Sequence, residues 1–229
     1  MFKSLSLKVI IFGFIFTFFS SFGQSFFLGI FNPSIRNELS ITHGQFGSIY
    51  ASATLASSFL LIWVGKKIDD IDISKFAFFV ILLLAFSCFF FSRISSISFL
   101  FIAIFLMRFS GQGMMSHTAT TTISRYFTKS RGKALSTGWL GLSAAEFILP
   151  VLMIYFLSIT DWKNIWIIIS IIVLIFLPLT SFILVKNLNF DSREKTKEDS
   201  NKDDNFKQWK RVEVVKDYRF YIVCANMLA

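Results

Sequence analysis

Met107-Arg108-Phe109-Ser110-Gly111-Gln112-Gly113 opens the stretch that decides the fold, which runs through the basic segment Arg125-Tyr126-Phe127-Thr128-Lys129-Ser130-Arg131-Gly132-Lys133 to Pro150. Two long apolar runs flank that basic segment, and each carries a full charge near its middle, Arg108 in the first and Glu146 in the second. A helix rises about 1.5 Å per residue, so with Arg125 and Lys133 at one interface Arg108 lies roughly 25 Å and Glu146 roughly 20 Å into a bilayer. The spacing therefore predicts two helices whose charges match in depth and can pair. An ionised side chain there costs on the order of 3 kcal/mol or more and ordinarily faces a partner or a hydrated path. Two readings fit: a solute pathway, or a staple between helices. Gln112, Ser116, His117 and Thr118 follow Arg108 at one to three helical turns. They continue a polar stripe toward the basic loop, which a staple does not need.

Working outward, the 229 residues are 54% hydrophobic and 16% charged, with mean hydropathy +0.64, which is the composition of an integral membrane protein. The net charge of +9 sits mainly between apolar runs, where it acts as a topology signal and a contact for anionic lipid, so nucleic acid is not an expected partner. Cys88 and Cys224 lie in separate apolar runs, with no metal-ligand or disulfide spacing. Lys3 and Lys8 precede an apolar run too long for a signal peptide and without a small-x-small cleavage site, so it is read as a retained first span.

Six stretches reach the roughly 20 apolar residues that a bilayer requires: Leu7 to Phe31, Gln45 to Val64, Lys75 to Ser92, Ser98 to Ile123, Ala134 to Leu157 and Asn164 to Val185. A seventh begins near Phe220 and is cut by the end of the sequence at Ala229, which predicts a truncated chain. The expected organisation is a six-helix transmembrane bundle over 1–185, a cytoplasmic linker with a short amphipathic helix over 186–217, and the start of a seventh span over 218–229. In the linker, Asp191, Glu194, Glu198 and Asp199 alternate with Arg193, Lys195 and Lys197. Phe206, Trp209, Val212 and Val215 then recur at three-residue spacing, as in a helix lying on a leaflet. Loop charge predicts a cytoplasmic N-terminus, with Lys66, Lys67, Arg125, Lys129, Arg131 and Lys133 inside against Arg36, Arg93 and Lys163 outside. The expected location is the plasma membrane, a bacterial inner membrane.

Span character repeats every three helices. Span 1 carries Gln24 and ends in Asn32-Pro33, span 2 is rich in small residues, and span 3 is almost wholly apolar. Polar span 4, small-residue span 5 (Ser136, Gly138, Gly141, Ala144, Ala145) and apolar span 6 follow. Repeated three-span units build transporter halves. Spans 1 and 4 are then expected to line a path, spans 2 and 5 to pack on another helical set, and spans 3 and 6 to face lipid.

Gly65-Lys66-Lys67-Ile68-Asp69-Asp70-Ile71-Asp72, between spans 2 and 3, resembles the G-x-x-x-D-R-x-G motif of the major facilitator superfamily. Arg125 to Ala134 resembles that superfamily's loop between spans 4 and 5, Arg108 to Gly113 is similar to its span-4 motif, and Asp161-Trp162-Lys163 echoes its tryptophan-basic pair before span 6. The resemblance covers the whole chain. It implies an all-α membrane fold of twelve spans in two halves, this chain supplying the first half and lacking the second. It also implies a cytoplasmic gate at Gly65 and Asp69 with the basic residues Arg125 and Arg131. Asp70 and Asp72 depart from the motif's basic residue and glycine, so no charge-relay role passes to them, and the span-5 Gly-Pro pattern is too sparse to imply antiport.

The function expected from these residues is secondary transport of a small organic solute by alternating access, with an organic anion and proton coupling as open refinements. Arg108, Glu146, Gln24, Gln112, His117 and Asn32 are the candidate substrate and proton pathway. An unperturbed imidazole titrates near neutrality, which makes His117 a candidate proton carrier, but a lone histidine on a polar helix face more often serves as a hydrogen-bonded packing residue. His43 is read as part of the start of span 2. Gly111-Gln112-Gly113 lacks the rest of a phosphate-binding signature, and no metal-ligand cluster or nucleophilic triad is present, so neither a cofactor nor an enzyme activity is expected. A non-transporting receptor or scaffold on a transporter-like fold stands as the alternative.

Overall fold

The computed structural model of the chain describes residues 2–127, 130–185 and 211–222. Six helices among them are long and apolar enough to cross a membrane: Ser6–Ile30, His43–Asp69, Ile73–Phe91, Ile97–Tyr126, Arg131–Ile159 and Trp162–Leu184, here spans 1 to 6. Their starts follow local chemistry. Span 2 begins after a capping box in which the Thr42 hydroxyl accepts from the Gln45 backbone N–H and the Gln45 side chain accepts from the Thr42 backbone, so His43 is the first helical residue. Asp72 caps span 3 by accepting from the backbone N–H groups of Ser74 (2.9 Å) and Lys75 (3.2 Å), and the Ser96 hydroxyl caps span 4.

Span 1 is interrupted. A helix over Phe2–Ser20 tightens to a 3-10 turn at Ser21–Gly23, Gln24 adopts an extended backbone (φ −81°, ψ 155°), and Ser25–Ile30 resumes the helix. Span 4 is distorted at its centre, where Arg108–Met115 forms a π-helix. Such wide turns in α-helices frequently mark functional sites. The two irregularities touch: Gly23 and Gly111 pack backbone to backbone, so a Cβ on Gly23 would lie 2.3 Å from the Met107 carbonyl oxygen and 2.4 Å from the Gln112 nitrogen.

Span 5 closes on the other side of span 1 through small residues. Gly141 faces the Phe14 carbonyl, Gly13 and Gly138 share the Ile123 side chain, and the Thr17 hydroxyl donates to the Gly138 carbonyl at 2.7 Å. An interhelical bond of this kind in a membrane protein contributes about 0.6 kcal/mol on average and up to about 1.7. Thr17→Val, nearly isosteric, is therefore expected to lower the melting temperature of the detergent-solubilised protein by a few degrees without changing its elution volume. A melt unchanged from the parent would remove this bond from the account.

Spans 3 and 6 pair through a Ser170 hydroxyl donating to the Ala85 carbonyl (2.7 Å), and through an aromatic cluster in which Trp166, fully buried, lies 4.4 Å from Phe91 and 5.5 Å from Phe27 between ring centroids. This alters the expected roles of two spans. Half of the span-3 membrane window is buried inside the bundle, against 11% for span 2 and 17% for span 5. Span 3 is thus not a purely lipid-facing helix, because in lipid a uniformly apolar sequence is equally suited to a helix contact and to acyl chains. The span-5 glycines serve span 1 within this bundle, whereas Gly47 of span 2 has open space where a Cβ would go.

Arg211–Lys216, which belongs to a second unit of the chain, is helical. The expected linker lies mostly outside the described residues, as do Phe206 and Trp209 of the expected amphipathic helix. Of the expected seventh span, 218–222 are helical and 223–229 lie outside.

Candidate functional site

Arg108 is 8% exposed, and the break in span 1 explains how its charge is tolerated. Where the helix is interrupted, Arg108 Nη1 donates to the Gly23 carbonyl at 3.0 Å and to the Ser25 hydroxyl at 3.3 Å. The Tyr50 hydroxyl of span 2 donates to the same Ser25 oxygen at 2.8 Å, and the guanidinium carbon sits 5.4 Å from the centre of the Tyr50 ring. A cation over an aromatic face gains roughly 0.5–2 kcal/mol, with the larger values when desolvated. Arg108 Nε is buried without a hydrogen-bond partner. One cationic group thus ties spans 1, 2 and 4 together and retains an unused donor.

Glu146 is not its partner. Among the described residues no ion pair within 4 Å involves either side chain, and Glu146 is exposed on the face of span 5 next to Phe147, itself 83% exposed. The expected pairing of the two charges is thereby corrected. Matching depth fixes height but not azimuth, and span 1 packs against span 4 through Gly23 and against span 5 through Phe14 and Thr17.

The other pathway candidates separate. Gln24 is the extended residue at the break, and Gln112 lies in the π-helix with its backbone against Gly23. Asn32 begins the helix Asn32–Leu39 and accepts from Arg36 Nε at 2.7 Å, whereas Arg108 donates to Gly23 and Ser25. His117 Nε2 lies 2.9 Å from the Gly65 carbonyl, which requires a tautomer protonated at Nε2. His117 thereby joins the candidate gate residues rather than Arg108. There Arg125 Nη2 contacts Asp69 Oδ1 at 2.5 Å and donates to the Ile68 carbonyl at 3.2 Å, while Gly65 is buried and Arg131, the first residue of the span-5 helix, is exposed. At the opposite end Glu38 accepts from Trp162 Nε1 at 3.2 Å and pairs with Lys163.

Gly23, Ser25, Tyr50 and Glu38 were not among the sequence candidates. The run Ser20-Ser21-Phe22-Gly23-Gln24-Ser25, polar and glycine-bearing in mid-membrane, is the signal from which the break could be read.

Six helices long and apolar enough to cross a membrane, with a charged, hydrogen-bonded group inside the bundle, define a multi-pass membrane protein. A family model described as Major Facilitator Superfamily matches residues 13–229, and the chain belongs to that family. Its members carry small-molecule solutes across lipid and are not enzymes. No curated protein and no solved structure matches the chain significantly.

Proposed function

We propose that this chain provides the N-terminal six-helix half of an alternating-access transporter for small organic anions, with Arg108 as the anion-binding group. The observation that carries the reading is a guanidinium held at an interrupted helix with one N–H still unsatisfied. A buried donor without an acceptor carries a desolvation cost of about 1–3 kcal/mol, which an arriving carboxylate or phosphate oxygen would remove. Glu146, exposed on span 5, is free of Arg108 and serves as the proton-carrying group of a coupled cycle. The open faces of spans 2 and 5 receive a second helical set. The N-terminus is cytoplasmic in a bacterial inner membrane, which makes the Asp69–Arg125 contact part of the cytoplasmic gate.

Uptake of a panel of radiolabelled organic anions and neutral analogues into proteoliposomes containing the full-length protein tests the reading. Anion-selective uptake that falls when the proton gradient is collapsed supports it. Absence of uptake for every anion, with uptake of neutral solutes, rejects anion binding. Undiminished uptake after collapse rejects proton coupling alone.

The gate gives a separate expectation. With Asp69 62% and Arg125 32% exposed, their pairing contributes about 0.2–1 kcal/mol, which biases a two-state equilibrium without locking it. Asp69→Asn is expected to leave the melting temperature nearly unchanged while raising cysteine-labelling accessibility on the cytoplasmic side of the cavity several-fold. Equal labelling in parent and variant would separate this pair from gating.

A further inference from the structure

The Ser25 hydroxyl sits where the break in span 1 meets spans 2 and 4, and its hydrogen bonds can be counted. A serine hydroxyl has two lone pairs and one hydrogen, a phenol adds a hydrogen of its own, and a guanidinium donates without accepting. Ser25 Oγ accepts from the Tyr50 hydroxyl at 2.8 Å and from Arg108 Nη1 at 3.3 Å, which fills both lone pairs. One hydroxyl hydrogen therefore lies between Tyr50 and Ser25. The other, on Ser25, has no acceptor among the described residues. Open space lies beside it. Ser25 is exposed, and an added Cβ would meet nothing at Gly29, one turn on from Ser25, or at Gly47, one turn back from Tyr50.

We propose that Ser25 is a solute-binding residue which, together with Arg108, holds the carboxylate of a small organic monoanion. This rests on Arg108 as the anion-binding group and adds a second donor beside it. An ionised carboxylate only accepts, through two oxygens, and so matches an N–H and an O–H placed side by side. The corresponding amide would bring its own N–H groups toward a guanidinium that cannot accept and a Ser25 oxygen whose lone pairs are taken. Charge sets the valence. Arg108 is the one charged side chain buried in the bundle among the described residues, so a dianion would keep one charge uncompensated away from water. Tyr50 is the positioning residue: its ring stacks on Phe46, with centroids 6.3 Å apart and planes at 23°, and its hydroxyl directs the Ser25 hydrogen outward.

The test is uptake of radiolabelled benzoate, lactate and pyruvate, of benzamide and lactamide, and of phenylphosphonate into proteoliposomes of the full-length protein, corrected for protein-free liposomes. At least one monocarboxylate is expected to be taken up, at least tenfold faster than its amide and faster than the phosphonate. For that solute Ser25→Ala is expected to raise KM about tenfold with kcat within about twofold, the pattern of a lost binding contact rather than of a damaged fold. Ser25→Thr, which restores a hydroxyl, is expected to bring KM back toward the parent. Tyr50→Phe keeps the Ser25 hydrogen but frees its direction, and is expected to raise KM by a smaller factor. A parent-like KM in Ser25→Ala, with uptake still reduced in Arg108→Lys, would remove Ser25 from the site and leave the reading of Arg108 standing. Undiminished uptake in Arg108→Lys would remove the anion site itself. Uptake of amides as fast as acids, uptake confined to the phosphonate, or uptake of none of the monocarboxylates would overturn the proposed solute class.

Discussion

Arg108→Lys is expected to reduce solute uptake by about tenfold to a hundredfold while the protein still reconstitutes. Lysine keeps the charge but not the fork, so it cannot donate to the Gly23 carbonyl and the Ser25 hydroxyl while leaving a second directed N–H for a solute. A hydrogen bond to a charged group contributes about 1.5–3 kcal/mol, and 1.4 kcal/mol is a factor of ten. Arg108→Ala is expected to be worse for folding as well, because it leaves the Gly23 carbonyl without its donor at the break in span 1. The measurement is initial uptake per reconstituted protein, with elution profile and melting temperature recorded for each variant. Glu146→Gln supplies the contrast. With no contact to Arg108, it is expected to leave the melt unchanged, and the double variant Arg108→Ala/Glu146→Gln to fold no better than Arg108→Ala alone. Rescue of folding in the double variant would show that the two charges pair after all.

The contrast between Arg108 and Glu146 shows what a membrane sequence makes legible. Helix number and span boundaries are readable because every stretch must satisfy its backbone internally over a fixed thickness, and the six runs read from apolarity agree with the six helices to within a few residues. The depth of a charge is readable for the same reason. The direction in which a charge points is not, because in lipid the apolar faces do not distinguish inside from outside as they do in water. Arg108 could be read as a buried functional group, but its acceptor, a backbone carbonyl on another span, has no signature of its own. Tyr50 was similarly concealed in a span whose small residues suggested close packing. His117 was legible as chemistry and ambiguous as to place, and the Gly65 carbonyl decides the place. The contact between Arg125 and Asp69 was anticipated from two loops whose residues match a family motif, which carries pair information that periodicity lacks.

Gly141→Ala and Gly23→Ala are expected to deplete the folded protein, although alanine is ordinarily the best helix former. None of the described glycines has a positive φ, so the reason for glycine here is space rather than backbone conformation. At Gly141 an added Cβ would lie 2.0 Å from the Phe14 carbonyl oxygen, and at Gly23 it would meet the Met107 carbonyl oxygen at 2.3 Å. Both obstacles are backbone, so relief requires spans 1 and 5, or spans 1 and 4, to separate. Overpacking costs about 1–3 kcal/mol where side chains can adjust, and these sites are expected at the upper end or beyond. At Gly13 the obstacle is the end of a flexible side chain, Ile123 Cδ1 at 2.3 Å, and at Gly47 there is open space. Melting curves of the detergent-solubilised variants should therefore rank Gly47→Ala at or above the parent, Gly13→Ala below it, and Gly23→Ala and Gly141→Ala lowest. Adding Ile123→Val, which removes Cδ1, is expected to restore Gly13→Ala and to leave Gly141→Ala unrescued. If Gly141→Ala melts with Gly47→Ala, spans 1 and 5 do not approach this closely, and the bundle that places Arg108 against the broken helix loses one of its two supports.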